Sequence, residues 1–493
     1  MLICLAFLFQ GSRGIWQPDE GYYVGTTVTM MEKQTLFIPY LGEDEIFLDK
    51  PPMIYWCIIA GLKLFGHSEV AVRFFHGISF ILTAILTGLI AWEFFKDKPT
   101  ALLAMLIYST MVVPFIAANF VTPDTLLTLW TTMAILFFWK SVTSDHRKLW
   151  QMLLCMAIGL GFLAKGPAAL IPCGGMLAFL TVRKQLIKYF KTYWSIIGLG
   201  LFIIVGLGWY FWVCIKISGA FSYFLDSHLW GRLISEKYKR NPGLSGALIY
   251  LPVLVFGTLP WSIIWIEKRT LLGKTLFVKN WWKTLADRSA ALFLFCWFFI
   301  TLLILCLASS KLGLYLLPVF PAIAIATAKI WREKFFSTDN LPHIKTLFRP
   351  AVLCFVWAVL LVFSKLALAY YPTADDMKVL WAHLRPQLPQ ADYEICTIDK
   401  RVDGLLFYGA KEVEHLTAKS NPYPTFSKTE YILHETKEMA KEKEVGFLLI
   451  QGEDRIPNVC NILKNAGIDF HIVNLPYHRA LLALKFDTSK RTL

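Results

Sequence analysis

Six short segments of this chain bring carboxylates, cations and prolines close together. Gln17-Pro18-Asp19-Glu20-Gly21-Tyr22-Tyr23 sets two adjacent carboxylates after a proline. Neighbouring helical residues point in different directions, so only one of the pair need face a cavity, and Asp19 also suits the first turn of the helix that follows. In Leu48-Asp49-Lys50-Pro51-Pro52 the prolines stiffen the backbone and push Lys50 into an extended conformation. An ammonium presented in that way suits a lipid phosphate, and equally a lysine that snorkels at an interface. Val121-Thr122-Pro123-Asp124-Thr125 puts a carboxylate at the head of an apolar tract, where it also complements the helix dipole. Leu163-Ala164-Lys165-Gly166-Pro167 sets a cation on a tight turn, and the segment 309–318 carries Lys311 and Tyr315. The sixth segment holds Asp226, His228, Arg232, Glu236, Lys237, Lys239 and Arg240, with His228 and Arg232 four apart on one helix face. Carboxylates of this kind serve acid–base chemistry, and clustered cations hold an anion such as a phosphate through charge-assisted hydrogen bonds.

The elements that must position these segments are membrane spans. Of the 493 residues 56% are hydrophobic and 17% charged, against about a quarter charged in soluble domains. Apolar tracts at 78–95, 101–118, 125–139, 149–164, 168–182, 195–215, 245–265, 290–307, 312–330 and 350–370 predict spans, and an apolar stub at 1–9 brings the total to about eleven. The stub reaches only about 15 Å as a helix, half a hydrocarbon core, so further apolar residues are expected upstream of Met1.

Lys96 and Lys98, then Lys140, Arg147 and Lys148, then Arg183, Lys184, Lys188 and Lys191, then the cations within 268–288, then Arg332, Lys334, Lys345 and Arg349 occupy alternate loops. The positive-inside rule makes that face cytoplasmic. Most of the net charge of +14 is therefore topology and not a sign of a nucleic-acid partner. The other face receives the loops 11–77, 119–124, 165–167, 216–242 and 309–311, with 53–65 as a helix lying on the membrane. Asp19, Asp49, Lys50, Asp124, Lys165, His228, Arg232 and Lys311 are picked out by motif and not by side, yet all fall on this outer face.

The sequence divides into a transmembrane domain at 1–370 and an extracytoplasmic domain at 371–493. In the second, apolar runs at 393–398, 446–450, 470–475 and 480–486 alternate with helix-like segments at 429–444 and 457–465, which predicts a small α/β fold. Most of the ten cysteines lie in apolar runs without metal-ligand spacing. Cys396 and Cys460, in the tail, can pair if that compartment is oxidising.

As an ordered set, PDEGYY at 18–23, LDKPPMIYW at 48–56 with GLKLFG and AVRFF downstream, TPDTLLTLW at 122–130, LAKGPAAL at 163–170, LPWS at 259–262 and SSKLGLYLLPVFP at 309–321 resemble the GT-C glycosyltransferases. The branch they resemble holds the undecaprenyl-phosphate aminoarabinose transferases and bacterial relatives of the dolichyl-phosphate-mannose protein mannosyltransferases. The resemblance implies a donor sugar on a polyprenyl phosphate, with no nucleotide cofactor. It implies inverting transfer to lipid A, another glycan or protein at the outer face of a bacterial inner membrane, with the tail in the periplasm. It makes Asp19 and Asp124 the catalytic aspartates, with Glu20 beside the first. It gives Lys50, Arg232 and Tyr315 the carrier phosphate, with Lys165 and Lys311 nearby, and it implies a divalent metal at Asp49 and His228. This chain has Asp49 where the family often has glutamate.

Two other classes share some of these features. A flippase for the same lipid-linked sugar needs the cations and the spans, but places polar residues along the helices at mid-membrane; the tracts here carry almost no charge in their middles. A membrane anchor that displays the tail as a binding module leaves the outer-face segments without a use.

Overall fold

The structure is a computed structural model that describes residues 1–41, 46–193, 195–226, 241–263, 265, 289–335, 344–390, 393–417, 430–432, 436, 439 and 446–485. Among these, seven helices are long and apolar enough to cross a membrane: Glu69–Phe95, Pro123–Thr143, Arg147–Val182, Ile196–Lys216, Ser289–Leu307, Gly313–Glu333 and Val352–Ala369. To within two residues at the ends, they cover every full-length tract expected from hydropathy except 101–118 and 245–265. The second of these forms the shorter apolar helix Ala247–Gly257.

The chain begins with α1 (Leu2–Phe7), α2 (Asp19–Glu32), α3 (Met53–Phe65) and α4 (Glu69–Phe95). α4 starts well before its hydropathy tract, and the early turns hold charged side chains that lower the hydropathy, among them Arg73, which is fully buried and donates to the Gln10 carbonyl at 3.0 Å. Within α4, Ser79, Thr83 and Thr87 each donate a hydroxyl to the carbonyl four residues earlier at 2.7 Å. Polar side chains satisfied inside their own helix suit a segment that has no water to bond.

The tract 101–118 is broken into α5 (Lys98–Thr110) and α6 (Val112–Ala117) at Met111, whose ψ is 142°. Pro114 causes the break, since it lacks the N–H that would bond the Thr110 carbonyl and its ring crowds that carbonyl. The freed carbonyl accepts the Trp357 indole N–H at 2.8 Å, and the Thr110 hydroxyl accepts that of Trp261 at 2.9 Å. Asp97 caps α5, accepting from Thr100 N at 3.2 Å and from Arg332 Nε at 3.3 Å. Burial alone raises the Asp97 carboxyl, but the Thr100 hydrogen bonds and the Arg332 charge outweigh it and hold the group below the usual carboxylate range.

Helix α7 (Pro123–Thr143) leads to α8 (Arg147–Lys165), and α8 joins α9 (Ile171–Val182) through the 3₁₀ turn Gly166–Leu170. The helical residues run on for 36, but Gly166 has a φ of 61°. A Cβ on Gly161 would lie 3.1 Å from that of Ala169. Eight residues of straight helix span about 12 Å, so the chain doubles back at Lys165-Gly166, as the sequence implies.

Two compact units divide the chain. One comprises Met1–Gln10 and Arg73–Lys365; the other comprises Gly11–Val72 and Leu366–Leu493. A linear division at residue 370 assigns the first outer loop to the spans, whereas the fold packs it with the tail. In the first unit, Lys365 is 5% exposed and donates to the Leu5 and Ala6 carbonyls at 2.6 and 3.0 Å, which caps the end of α1.

The tail is an α/β domain with strand order β3-β2-β1-β4-β6-β5. The strands are β1 (Glu394–Ile398), β2 (Val413–Thr417), β3 (Glu430–Tyr431), β4 (Gly446–Gln451), β5 (Asp469–Leu475) and β6 (Arg479–Lys485). The pairs β3–β2, β2–β1 and β1–β4 are parallel, and β4–β6 and β6–β5 are antiparallel. β1 and β4 are buried along their whole length, as strands covered on both faces are. Ile395, Phe447 and Leu449 pack with the helix Met377–Leu384 on one face; Cys396, Leu448 and Ile450 pack with the helix Ile456–Asn465 on the other. Cys396 and Cys460 are not joined in a disulfide, and the Cys396 thiol donates to the Glu394 carboxylate at 3.1 Å. β2, with sequence VEHLT, has too few apolar residues to register as a run, and Glu430–Tyr431 is strand where a helix was expected; most of 429–444 lies outside the described residues.

Candidate active site

Each compact unit carries part of the candidate set, and each part is built by local packing. In the second unit, α2 begins at Asp19. Asp19 is exposed, and the next carboxylate, Glu20, is 1% exposed. Both Glu20 oxygens receive the Arg13 guanidinium, at 2.6 and 2.9 Å, and one also accepts the Trp16 backbone N–H at 3.0 Å. Sequence adjacency makes the two acids look equivalent. The structure makes Glu20 the anchor of the turn and leaves Asp19 at the surface, so Glu20 is not free for proton transfer.

Asp376 locks this turn in place. Its carboxylate accepts from Gly14 N at 3.2 Å and Trp16 Nε1 at 3.1 Å, and it caps the helix Met377–Leu384 through Lys378 N and Val379 N at 2.9 and 3.2 Å. A side chain at Gly14 would collide with that carboxylate. Farther along α2, a Cβ on Gly25 would meet the Asp403 carbonyl at 2.6 Å, so the glycine permits the helix to lie against 403–408. Asp376→Ala removes an acceptor from four donors at once. It should lower stability by about 2 kcal/mol or more. The measurements are a thermal midpoint in detergent and the activity of the same sample, both of which should fall.

Pro52 is the N-cap of α3, which fixes the chain at Lys50. The Lys50 ammonium contacts the carboxylate of its own neighbour, Asp49, with the lysine 12% and the aspartate 38% exposed. His228 and Arg232 lie outside the described residues. Of the expected metal pair the described residues therefore include only Asp49, which is in an ion pair with Lys50.

In the first unit, three distant segments converge. Asp124, in the first turn of α7 and 5% exposed, receives the Lys165 ammonium at 2.5 Å. The same ammonium lies 4.2 Å from the centroid of the Tyr315 ring. The α8–α9 reversal delivers Lys165, and the 3₁₀ segment Gly313–Val319 delivers Tyr315. Lys311 is 1% exposed and donates to the Ala308 carbonyl at 2.6 Å, so it caps the helix Ser289–Leu307. Tyr250, 2% exposed, has no hydrogen-bond partner for its hydroxyl. It sits in an apolar run at a helix start, where hydropathy carries no signal for it. The arrangement in this unit is a buried carboxylate–ammonium pair capped by a phenol ring, able to orient a polar group in a dry setting.

Residues 49–212 match the family model described as dolichyl-phosphate-mannose-protein mannosyltransferase. An uncharacterized protein of Aquifex aeolicus is 29% identical over 376 residues, covering 75% of this chain and 68% of that one. An undecaprenyl phosphate-alpha-4-amino-4-deoxy-L-arabinose arabinosyl transferase 2 of Proteus mirabilis is 29% identical over 334 residues, covering 67% of this chain. The match spans 58% of that relative, less than two thirds of its length. Among solved structures, ArnT from Cupriavidus metallidurans bound to undecaprenyl phosphate superimposes with a TM-score of 0.79 at 18% identity, covering 99% of this chain and 97% of that one. An Archaeoglobus fulgidus oligosaccharyltransferase in the apo form superimposes with a TM-score of 0.51 at 12% identity, covering 99% of this chain and 74% of that one. At these identities the likeness is one of fold.

Proposed function

We propose, from the premise that this chain belongs among the GT-C glycosyltransferases, that it is an integral-membrane enzyme moving a sugar from a polyprenyl-phosphate donor to a lipid, glycan or protein acceptor. The observation that carries the reading is the meeting of Asp124, Lys165 and Tyr315 from three segments far apart in sequence. The names of the relatives support an undecaprenyl-phosphate carrier. The alternation of basic loops supports transfer at the extracytoplasmic face of a bacterial inner membrane, with the tail on that side.

Asp19, exposed at the start of α2, takes the proton of a hydroxyl acceptor as it attacks the anomeric carbon. Attack opposite the leaving phosphate inverts that carbon. If the acceptor is itself a phosphate, it is already anionic, and Asp19 orients it or stabilises positive charge at the sugar carbon. The carrier phosphate leaves as an anion, and Lys50 and Arg232 stabilise the charge that develops on it. The Asp124–Lys165 pair positions the sugar.

The flippase reading gains nothing from the buried cations. Arg73 and Lys365 both donate to backbone carbonyls at or just after the end of α1, a capping role. The deciding experiment is an assay of the purified chain with undecaprenyl-phosphate aminoarabinose and with a polyprenyl-phosphate hexose, using membrane extract as acceptor and mass analysis as readout. Sugar covalently attached to an acceptor supports the enzyme. Lipid-linked sugar moved across a vesicle bilayer without transfer overturns it.

A further inference from the structure

The Thr122 hydroxyl has no hydrogen-bond partner, although the residue is only 5% exposed. Thr122 is the N-cap of α7, with φ −141° and ψ 151°. In that conformation a threonine side chain ordinarily accepts from an N–H in the first turn. Here it makes no such bond, even though its own carbonyl accepts the Thr125 hydroxyl at 3.3 Å. A buried hydroxyl that forgoes its cap is unfavourable twice over, once for the lost cap and once for the unmade bond. Such a group calls for a partner from outside the chain, a water or a ligand.

The surroundings define the ligand. Two residues on, Asp124 is neutralised by Lys165 at 2.5 Å, with the Tyr315 ring 4.2 Å beyond. A paired carboxylate and ammonium favour neither a free anion nor a free cation. A neutral group that both donates and accepts fits a threonine hydroxyl at the same helix start, and a sugar hydroxyl is such a group.

We propose that Thr122 hydrogen-bonds a hydroxyl of the transferred sugar and is a specificity-determining residue for the donor. This rests on the reading of the chain as a polyprenyl-phosphate sugar transferase. Thr122→Val keeps the β-branched shape and deletes the hydroxyl; Thr122→Ser keeps the hydroxyl. On the donor that the unaltered chain uses, Thr122→Val should lose about tenfold or more in kcat/KM, because a site built to bond a hydroxyl is left unpaired. Thr122→Ser should recover most of that loss. The thermal midpoint of Thr122→Val should match that of the unaltered chain, since no cap bond is removed. Full kcat/KM in Thr122→Val overturns the inference while leaving the transferase reading intact. A lowered midpoint in Thr122→Val that serine restores also overturns it, by showing the hydroxyl to be a cap. An unaltered chain that transfers no sugar from any polyprenyl-phosphate donor sinks the transferase reading and this inference with it.

Discussion

Asp19→Asn is expected to lose at least about a hundredfold in turnover while the protein stays folded, the effect of removing a general base. The substitution keeps size and most hydrogen-bonding capacity but removes charge and basicity. Stability should be unaffected because Asp19 is exposed and its turn is held by other groups: Glu20 on Arg13, and Asp376 on Gly14 and Trp16. Glu20→Gln is the internal contrast. It breaks a bidentate ion pair whose partners are 6% and 1% exposed, so its deficit should appear first as a lower thermal midpoint. Paired measurement of midpoint and turnover separates the two acids. Normal turnover in Asp19→Asn removes the base assignment.

The second large effect belongs to the buried pair. Lys165→Met leaves the Asp124 carboxylate in a site where both partners are less than a tenth exposed. Removing one partner of such a pair costs about 3–5 kcal/mol, because the remaining charge is uncompensated. Asp124→Asn placed in the Lys165→Met background should restore much of that stability, so the double-mutant cycle should show a coupling of at least about 1 kcal/mol. Activity should remain low in both singles and in the double, since the repaired packing no longer presents a charge pair to the substrate. Additive stability effects would show that the pair is not formed in the membrane, and full activity in the double variant would remove it from the site. Unfolding in detergent followed by tryptophan fluorescence gives the cycle, and the transfer assay gives the rest.

The residues of the candidate site were legible from sequence to different degrees. Asp124 and Lys165 stand out because each is a charge at the edge of an apolar tract, next to a proline or a glycine. Their pairing was not legible: the motifs are 41 positions apart, and no local rule links them. Glu20 shows the opposite failure. Its charge looked available, and only the fold reveals that Arg13, from the segment before it, closes around it. Lys311 likewise looked like a surface cation and proves to be buried against the end of the preceding helix, Ser289–Leu307.

By itself the sequence determined that the chain is polytopic, where most of its apolar helices lie, that it turns at Lys165-Gly166, and that its tail is α/β. These follow from composition and periodicity, which act through burial of apolar area and are written residue by residue. Tertiary structure alone decided three things. It split 101–118, where Pro114 frees the Thr110 carbonyl that the distant Trp357 indole then engages. It packed the first outer loop with the tail, through Asp376 and its acceptor bonds to Gly14 and Trp16. It assigned the acids their states, pairing Asp124 and Glu20 and leaving Asp19 exposed. The physical reason is common to all three. Hydrogen bonds and ion pairs are short-ranged and directional, so which donor meets which acceptor depends on backbone segments brought together from far along the chain, and that is a property of the fold and not of any local stretch of residues.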